Sequence, residues 1–276
     1  HARHGGPTVP AAACLDAASL AVVDRARGLP GVRPVTVDTT PYADAGTSDA
    51  RELAAGLATG VAYLRALTDH GLSLSEALGS LAFTLTADDD QFLTMARFRA
   101  GRRLWARVAE ASGADPEDRA PRQHALTSAV MLTRWDPWVN MLRSTVAVFA
   151  AGTGGADSVT VRPFDSALGR PDEFGRRTAR NLQLVLLEES GLARVIDPAG
   201  GSWYVEDLTE RLAVEAWERF RETEADGGMA ASLASGRLAE EAEACWRERA
   251  GRLADLSESV TGVSEFPNVE EALLER

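Results

Sequence analysis

The sequence predicts an α/β protein built from parallel strand–helix units. Short β-branched segments alternate with longer segments whose apolar residues repeat every three or four positions. The predicted strands start near residues 35, 81, 124, 158 and 194, at spacings of 34 to 46 residues. Each spacing has room for one strand, one crossover helix and two loops. This repeat places consecutive strands side by side in a parallel sheet.

The first half of the chain contains two such units. A Gly- and Pro-rich lead-in precedes a helix, and each strand is followed by a helix that opens on capping residues. The predicted elements are the lead-in at 1–10, a helix at 11–27, a strand at 35–37, a helix beginning at 47–49, a strand at 81–85 and a helix from 88 to about 110. In the helix that begins at 47–49, Leu53, Leu57, Val61 and Leu64 repeat with the helical period.

The second half repeats the pattern and then becomes helical. The predicted elements are strands at 124–131, 158–161 and 194–196, helices at 139–149 and 172–191, a helix after 207 and a charged helix at 238–257. The helix that opens at Asp172 has acidic residues in its first turn, which complement the helix dipole, and Gly191 can take the left-handed conformation that ends it. A tight loop, 197–201, follows the last predicted strand.

Composition excludes several classes of function. The 276 residues are 45% hydrophobic, enough for one large core. A net charge of −12 argues against a nucleic-acid partner, which needs a basic surface. No apolar run approaches the roughly 20 residues that span a bilayer, so no membrane partner is predicted. Cys14 and Cys245 lack metal-ligand spacing, which favours a cytoplasmic location. The sequence contains no CxxC, HExxH or GxSxG motif and no phosphate-binding loop.

Two strings point to a known family. RRTARNLQLVLLEESGLARVIDPAGGSWYVEDLT (176–209) and EADGGMAASLASG (224–236) resemble the barrel domain of adenosylcobalamin-dependent methylmalonyl-CoA mutases, and DPAGGSWYVE is highly specific. The resemblance runs from about Val35 to Asn268. It implies a TIM-type (β/α)8 barrel, of which this chain holds the later five or so β/α units plus C-terminal helices. Either this chain is part of a longer protein or a separate segment completes the barrel, because an open sheet exposes its edges.

The same resemblance divides the chain into three parts. Residues 1–34 form a lead-in and a partial β/α unit, and residues 35–236 form the mutase-like barrel segment. Residues 237–276 form a helical extension toward a cobalamin-domain linker.

His124 is the candidate catalytic residue. The family motif His-x-Gln-Thr-Ser-Gly, whose histidine contacts the thioester carbonyl of the substrate, resembles His124-Ala-Leu-Thr-Ser-Ala129. Such a donor stabilises charge on that oxygen. Leu126 replaces the glutamine and Ala129 the glycine, changes that fit a pocket which no longer admits ligand. The alternative is a hydrogen-bonded core histidine.

Arg162 and Gln183 are the other two candidate site residues. Arg162 stands where the family has an asparagine after its strand, so it is a candidate for binding a phosphate or carboxylate of the substrate. Its structural alternative is an ion pair with Asp165. Gln183 matches a family glutamine near the corrin face and is the candidate for binding the cofactor. Its alternative is an ordinary surface or interhelical side chain.

The resemblance favours the small, non-catalytic subunit of the mutase. DDQFLTMARFRA (89–100), RWDPWVNMLRSTVAVFAAGTGGAD (134–157) and TGVSEFPN (261–268) resemble small subunits better than catalytic ones. Asp-x-His-x-x-Gly, the cobalt-binding motif of the family, does not occur in this sequence. The family's catalytic tyrosine and substrate-binding arginine come from the first part of the barrel.

The expected role is therefore structural support of the catalytic large subunit, which interconverts (R)-methylmalonyl-CoA and succinyl-CoA. Adenosylcobalamin and acyl-CoA are expected in the complex, with no cobalamin on this chain alone. Two alternatives stay open. One is a catalytic acyl-CoA-binding barrel that works with a separate cobalamin-binding polypeptide, and the other is a remnant without a role.

Overall fold

A four-stranded parallel sheet organises the molecule. The structure, a computed structural model, describes residues 15–272 and 274. The strands are β1 (Val35–Asp38), β2 (Leu81–Ala87), β3 (Gln123–Thr127) and β4 (Ser158–Thr160). They lie in the order β1-β2-β3-β4, each parallel to the next. The parallel α/β architecture predicted from the spacing of the strands is thus confirmed.

Helices connect the strands and cover one face of the sheet. Their bounds are α1 (Ala17–Ala26), α2 (Thr40–Asp44), α3 (Asp49–Asp69), α4 (Leu74–Ser80), α5 (Gln91–Ala111), α6 (Val139–Thr153), α7 (Glu173–Leu184), α8 (Trp203–Ala225), α9 (Gly228–Ser235) and α10 (Arg237–Ala254). A 3-10 turn, Pro116–Asp118, precedes β3, and a π-helical turn, Val185–Glu189, extends α7. Helix α8 packs across α3 and α5, which places it in a second layer outside the sheet.

Side-chain alternation in the strands fixes which face is covered. In β1, β2 and β3 the buried positions include Val37, Phe83 and Ala125, which join the main core with residues of α3 and α5. The alternate positions, such as Asp38 and His124, are half-buried or exposed. Parallel sheets are normally covered on both faces, and in the part of the chain that the structure describes only one face is covered.

One predicted strand is wrong. Residues 194–196 form turns, with Val195 64% and Ile196 98% exposed. The backbone N–H of Arg194 donates to the Gly191 carbonyl at 3.0 Å, so the segment turns back on itself. Asp197 is then held by Arg99 of α5, at 3.0 and 3.1 Å. These contacts hold the segment away from β4. Because β4 has only three residues, its edge is short for pairing with another strand. Over residues 15–272, the structure therefore contains four of the five strands expected for this stretch.

Other boundaries differ by a few residues from those predicted. β3 ends at Thr127, whereas the strand was predicted to reach Met131. Ser128 is buried and its hydroxyl accepts a hydrogen bond from Val130 N–H, so the chain turns there. The separate helix α4 was missed, although its Ser73–Glu76 capping box is present in the sequence. Of the first predicted helix, only the part from Leu15 onward lies within the described residues.

Close packing of α3 on α5 yields a stability prediction. A Cβ atom added to Gly60 would lie 2.6 Å from the ring of Trp105, itself 2% exposed. We expect Gly60→Ala to lower the free energy of unfolding by about 1–3 kcal/mol, because overpacking forces core side chains to shift. Gly79, in α4, is the matched control, since a Cβ atom added there would meet nothing within 4 Å. Urea unfolding in which both alanine variants behave alike would contradict this packing.

Candidate functional site

A row of polar side chains crosses the uncovered face of the sheet. Strand register aligns Asp38 with Thr84, Thr84 with His124, and His124 with Ser158. All four are half-buried or exposed. The row arises because successive residues of a strand point to opposite faces of the sheet, so each strand contributes one residue to this face. Parallel pairing then places these residues side by side. Sequence reasoning singled out His124 alone and missed its three neighbours, since their alignment depends on register.

His124 forms a direct contact within this row. Its Nδ1 atom lies 2.8 Å from the hydroxyl oxygen of Ser158. Burial lowers the pKa of His124 below its ordinary value of 6.5, and the nearby negative charge of Asp38 opposes that shift only in part. The imidazole is therefore neutral at pH 7. A neutral imidazole whose Nδ1 accepts a hydrogen bond carries its proton on Nε2 and can donate it to an oxygen.

Arg162 lies just beyond the carboxyl end of β4. Its backbone N–H donates to the Thr127 hydroxyl at 2.7 Å, and its Nε–H donates to the Thr127 carbonyl at 2.9 Å. Its Nη2 atom lies 3.5 Å from Asp44, at the end of α2. The ion pair thus joins Arg162 to α2, the short helix that follows β1. Because the side chain stays 30% exposed, it remains accessible at this end of the sheet.

Gln183 lies apart from the polar row. It is half-buried near the end of α7, and its side-chain amide donates to the Ala179 carbonyl of the same helix at 3.4 Å. Within the described residues, no hydrogen bond joins it to His124 or Arg162. Two of the three candidates, His124 and Arg162, are therefore linked through β3, while the third belongs to a separate surface.

A buried ionic cluster lies at the carboxyl end of β2. Glu52 is 1% exposed, and its Oε1 accepts hydrogen bonds from the Thr39 hydroxyl at 2.5 Å and from Thr86 N–H at 2.9 Å. Arg97, 3% exposed, pairs with Asp49 and Asp88. Glu52 and Arg97 are not among the candidate site residues that the sequence indicated. The better signal would have been a glutamate within an otherwise apolar helix face.

Metal-binding clusters and membrane spans are both absent from the described part of the chain. No group of three or more His, Cys, Asp or Glu side chains is placed there to hold a metal ion. None of the helices at residues 15–272 combines the length and apolar character needed to cross a bilayer.

Comparison with known proteins gives consistent matches. A family model described as methylmalonyl-CoA mutase matches residues 7–275. The methylmalonyl-CoA mutase small subunit of Streptomyces virginiae is 60% identical over 247 residues, which cover 90% of this chain and 40% of that protein. The small subunit of Propionibacterium freudenreichii subsp. shermanii is 48% identical over 241 residues, covering 87% of this chain and 38% of that protein.

A relative without the small-subunit name is more distant. The methylmalonyl-CoA mutase of Escherichia coli K12 is 36% identical over 220 residues, covering 78% of this chain and 31% of that protein. The chain thus spans about two-fifths or less of the length of these relatives. Because the family model covers nearly every residue, the chain belongs to the methylmalonyl-CoA mutase family.

Proposed function

We propose that this chain is the barrel segment of a mutase small subunit and supports a catalytic large subunit that interconverts (R)-methylmalonyl-CoA and succinyl-CoA. The observation that carries the proposal is the identity of 48–60% over most of the chain to several proteins named methylmalonyl-CoA mutase small subunits. The His124 motif supports it, since Leu126 lies on the uncovered sheet face beside Thr160 where the family has a polar glutamine.

The uncovered sheet face supports a closed barrel in the complete protein. Within the described residues β1 and β4 are free edges, and a free parallel edge is a site of aggregation unless another segment pairs with it. Further strands joining β1 to β4 would enclose the row that contains Thr84, His124 and Ser158. TIM-barrel interiors are normally filled by bulky branched side chains. This row is small and polar, and an interior with room for an extended polar ligand such as an acyl-CoA favours the runner-up function over the supporting role.

A runner-up function rests on the chemistry of His124. A neutral imidazole whose Nε2–H points into such an interior would donate a hydrogen bond to a thioester oxygen and stabilise charge there. Arg162, at the carboxyl end of the strands, would bind an anionic group of the substrate. In this alternative the chain is the acyl-CoA-binding part of a working mutase, and a separate polypeptide carries cobalamin.

We place no cobalt ligand on the described residues. Each described imidazole uses one ring nitrogen, His70 with Asp24 at 3.2 Å and His124 with Ser158 at 2.8 Å. Neither belongs to the Asp-x-His-x-x-Gly motif. Gln183 remains the candidate for contact with a cofactor held by the partner subunit. We accordingly place adenosylcobalamin on the large subunit, in a cytoplasmic complex.

Substitution of His124 separates the two functions. For a supporting subunit, we expect His124→Ala to change kcat and kcat/KM of the assembled mutase by less than twofold. For a catalytic barrel, loss of a hydrogen bond to the reacting oxygen lowers kcat by roughly 10²–10³-fold. His70→Ala is the matched control, because that histidine pairs with Asp24 outside the sheet. A large kcat loss confined to His124→Ala would overturn the proposal.

A further inference from the structure

Arg143 of α6 contacts three other segments at the carboxyl end of the sheet. It is 6% exposed, and its Nη1 atom donates to the Thr133 hydroxyl at 2.9 Å and to Oδ1 of Asn140 at 2.6 Å. Its Nε atom lies 3.6 Å from Asp89, in the loop after β2. Its Nη2 atom donates to the carbonyl of Thr261, which lies beyond α10. One buried guanidinium therefore joins the loops that follow β2 and β3 to the segment that follows α10.

Residues 258–271, which we call the strap, follow α10 and contact the loop between β3 and α6. The carboxylate of Glu271 accepts hydrogen bonds from the backbone N–H of Asp136 at 2.8 and 3.1 Å. Gly262 lies so close to Asp136 that an added Cβ atom would be 3.1 Å from the Asp136 Cβ atom. These contacts and the hydrogen bond from Arg143 hold the strap against that loop.

The strap contains a compact turn but has little buried surface. The Val260 carbonyl accepts hydrogen bonds of 2.9 to 3.2 Å from the backbone N–H groups of Val263, Ser264 and Glu265. Apart from Gly262, every residue from 258 to 272 is half-buried or exposed. Segments with few buried side chains open locally at a low free-energy cost. The strap can therefore detach while the sheet stays folded.

A cavity of about 590 Å³ lies beside the strap, between α6 and α10. Leu142 and Val146 line it from α6, Trp246 and Leu253 line it from α10, and Val260 lines it from the strap. These apolar side chains favour the closed position of the strap, since opening returns part of their surface to water. The strap is thus one wall of the cavity, and its detachment opens the cavity to solvent.

We propose that the strap is a lid over this cavity and that its closure fixes the loop between β3 and α6. In the closed state, Arg143 holds the Thr261 carbonyl, and Glu271 holds the backbone N–H of Asp136. In the open state both contacts are lost, and the loop loses the bonds that fix it. That loop follows β3, the strand that carries His124. The position of the strap is therefore coupled to the carboxyl end of β3.

Hydrogen exchange in the full-length protein, resolved to single amides, tests the lid. The reporter is the Thr133 amide, which donates to Asn140 at 3.0 Å rather than to the strap. Gly262→Ala places a Cβ atom against Asp136, and we expect the Thr133 amide to exchange about tenfold faster, because overpacking a close contact favours the open state. Gly236→Ala is the matched control, since the two glycines have φ values of +82° and +78° but a Cβ atom added to Gly236 meets nothing within 4 Å. It should leave the Thr133 amide unchanged.

Glu271→Ala keeps the test decisive if Gly262→Ala fails to fold. It removes the acceptor for the Asp136 N–H, and the loss of a hydrogen bond to a charged group should speed exchange of the Thr133 amide about tenfold. Glu270→Ala, the exposed neighbour in the strap, is the matched control. Amides of β2 should exchange at the wild-type rate in all of these variants, because the opening is local.

Three results would overturn the lid. The first is equal exchange of the Thr133 amide in Gly262→Ala and Gly236→Ala. The second is equal exchange of that amide in Glu271→Ala and Glu270→Ala. The third is acceleration of the β2 amides together with the Thr133 amide, which would mean that the variants unfold the sheet rather than open a lid.

Discussion

Arg97→Met should lower the free energy of unfolding by about 3–5 kcal/mol at neutral pH, because removing one partner of a buried ion pair leaves uncompensated charge. Arg97 is 3% exposed and is the shared partner of Asp49 and Asp88. Its Nη1 also donates to the Thr86 carbonyl, so the substitution also removes a hydrogen bond at the carboxyl end of β2. Methionine retains much of the aliphatic volume, which limits the loss to charge and hydrogen bonding. Urea unfolding monitored by circular dichroism measures it.

The loss should grow with pH. Burial raises the pKa of Glu52 and of Asp88, and without the positive charge of Arg97 these two pKa values in the folded state rise further. Stability from such groups is present at low pH and disappears as the pH rises through the folded pKa. Arg103→Met is the control, since that arginine is 58% exposed and pairs with Glu210 on the surface. Equal unfolding midpoints for the two variants at pH 8 would refute the role of Arg97.

Phe98→Ala should cost about 3–5 kcal/mol, because a buried phenylalanine loses its transfer free energy and leaves a cavity. Phe98 is 0% exposed and lies in the main core beneath the sheet. Phe92 belongs to the same helix but is 45% exposed, with its ring edge-on to Tyr204 at 5.2 Å. Phe92→Ala should therefore lower the unfolding midpoint far less. Similar losses for both variants, compared by urea titration, would contradict the assigned core.

The local sequence pattern correctly predicted the strands that pair with a neighbouring strand of the sheet. The segments beginning near 35, 81, 124 and 158 are apolar or β-branched, and each lies beside another strand. Residues 194–196 have the same local character, yet they form turns that lead to Arg99. Strand formation depends on a neighbouring edge as well as on propensity. Because the neighbouring edge comes from a distant part of the chain, the short pattern at 194–196 could not show whether these residues form a strand.

Of the polar row, the sequence identified His124 but neither its neighbours nor the geometry that brings them together. His124 was identified from a motif, and the structure places it beside Ser158, which lies 34 residues later in the chain. Only the pairing register of β3 with β4 brings the two together. The Glu52–Arg97 cluster shows the same limit, since its members come from α3 and α5. Arg97 lies in a helix that the sequence predicts, and only packing shows that its side chain is buried.

The supporting role is tested most directly by native mass spectrometry with adenosylcobalamin. The full natural chain would be co-expressed with the large-subunit homologue encoded beside it, and the complex compared with this chain alone. We expect one cobalamin per unequal pair and none on this chain by itself. Cobalamin bound to this chain alone, or to its homo-oligomer, would contradict the supporting role. His124 and Gln183 would then be regarded as functional site residues.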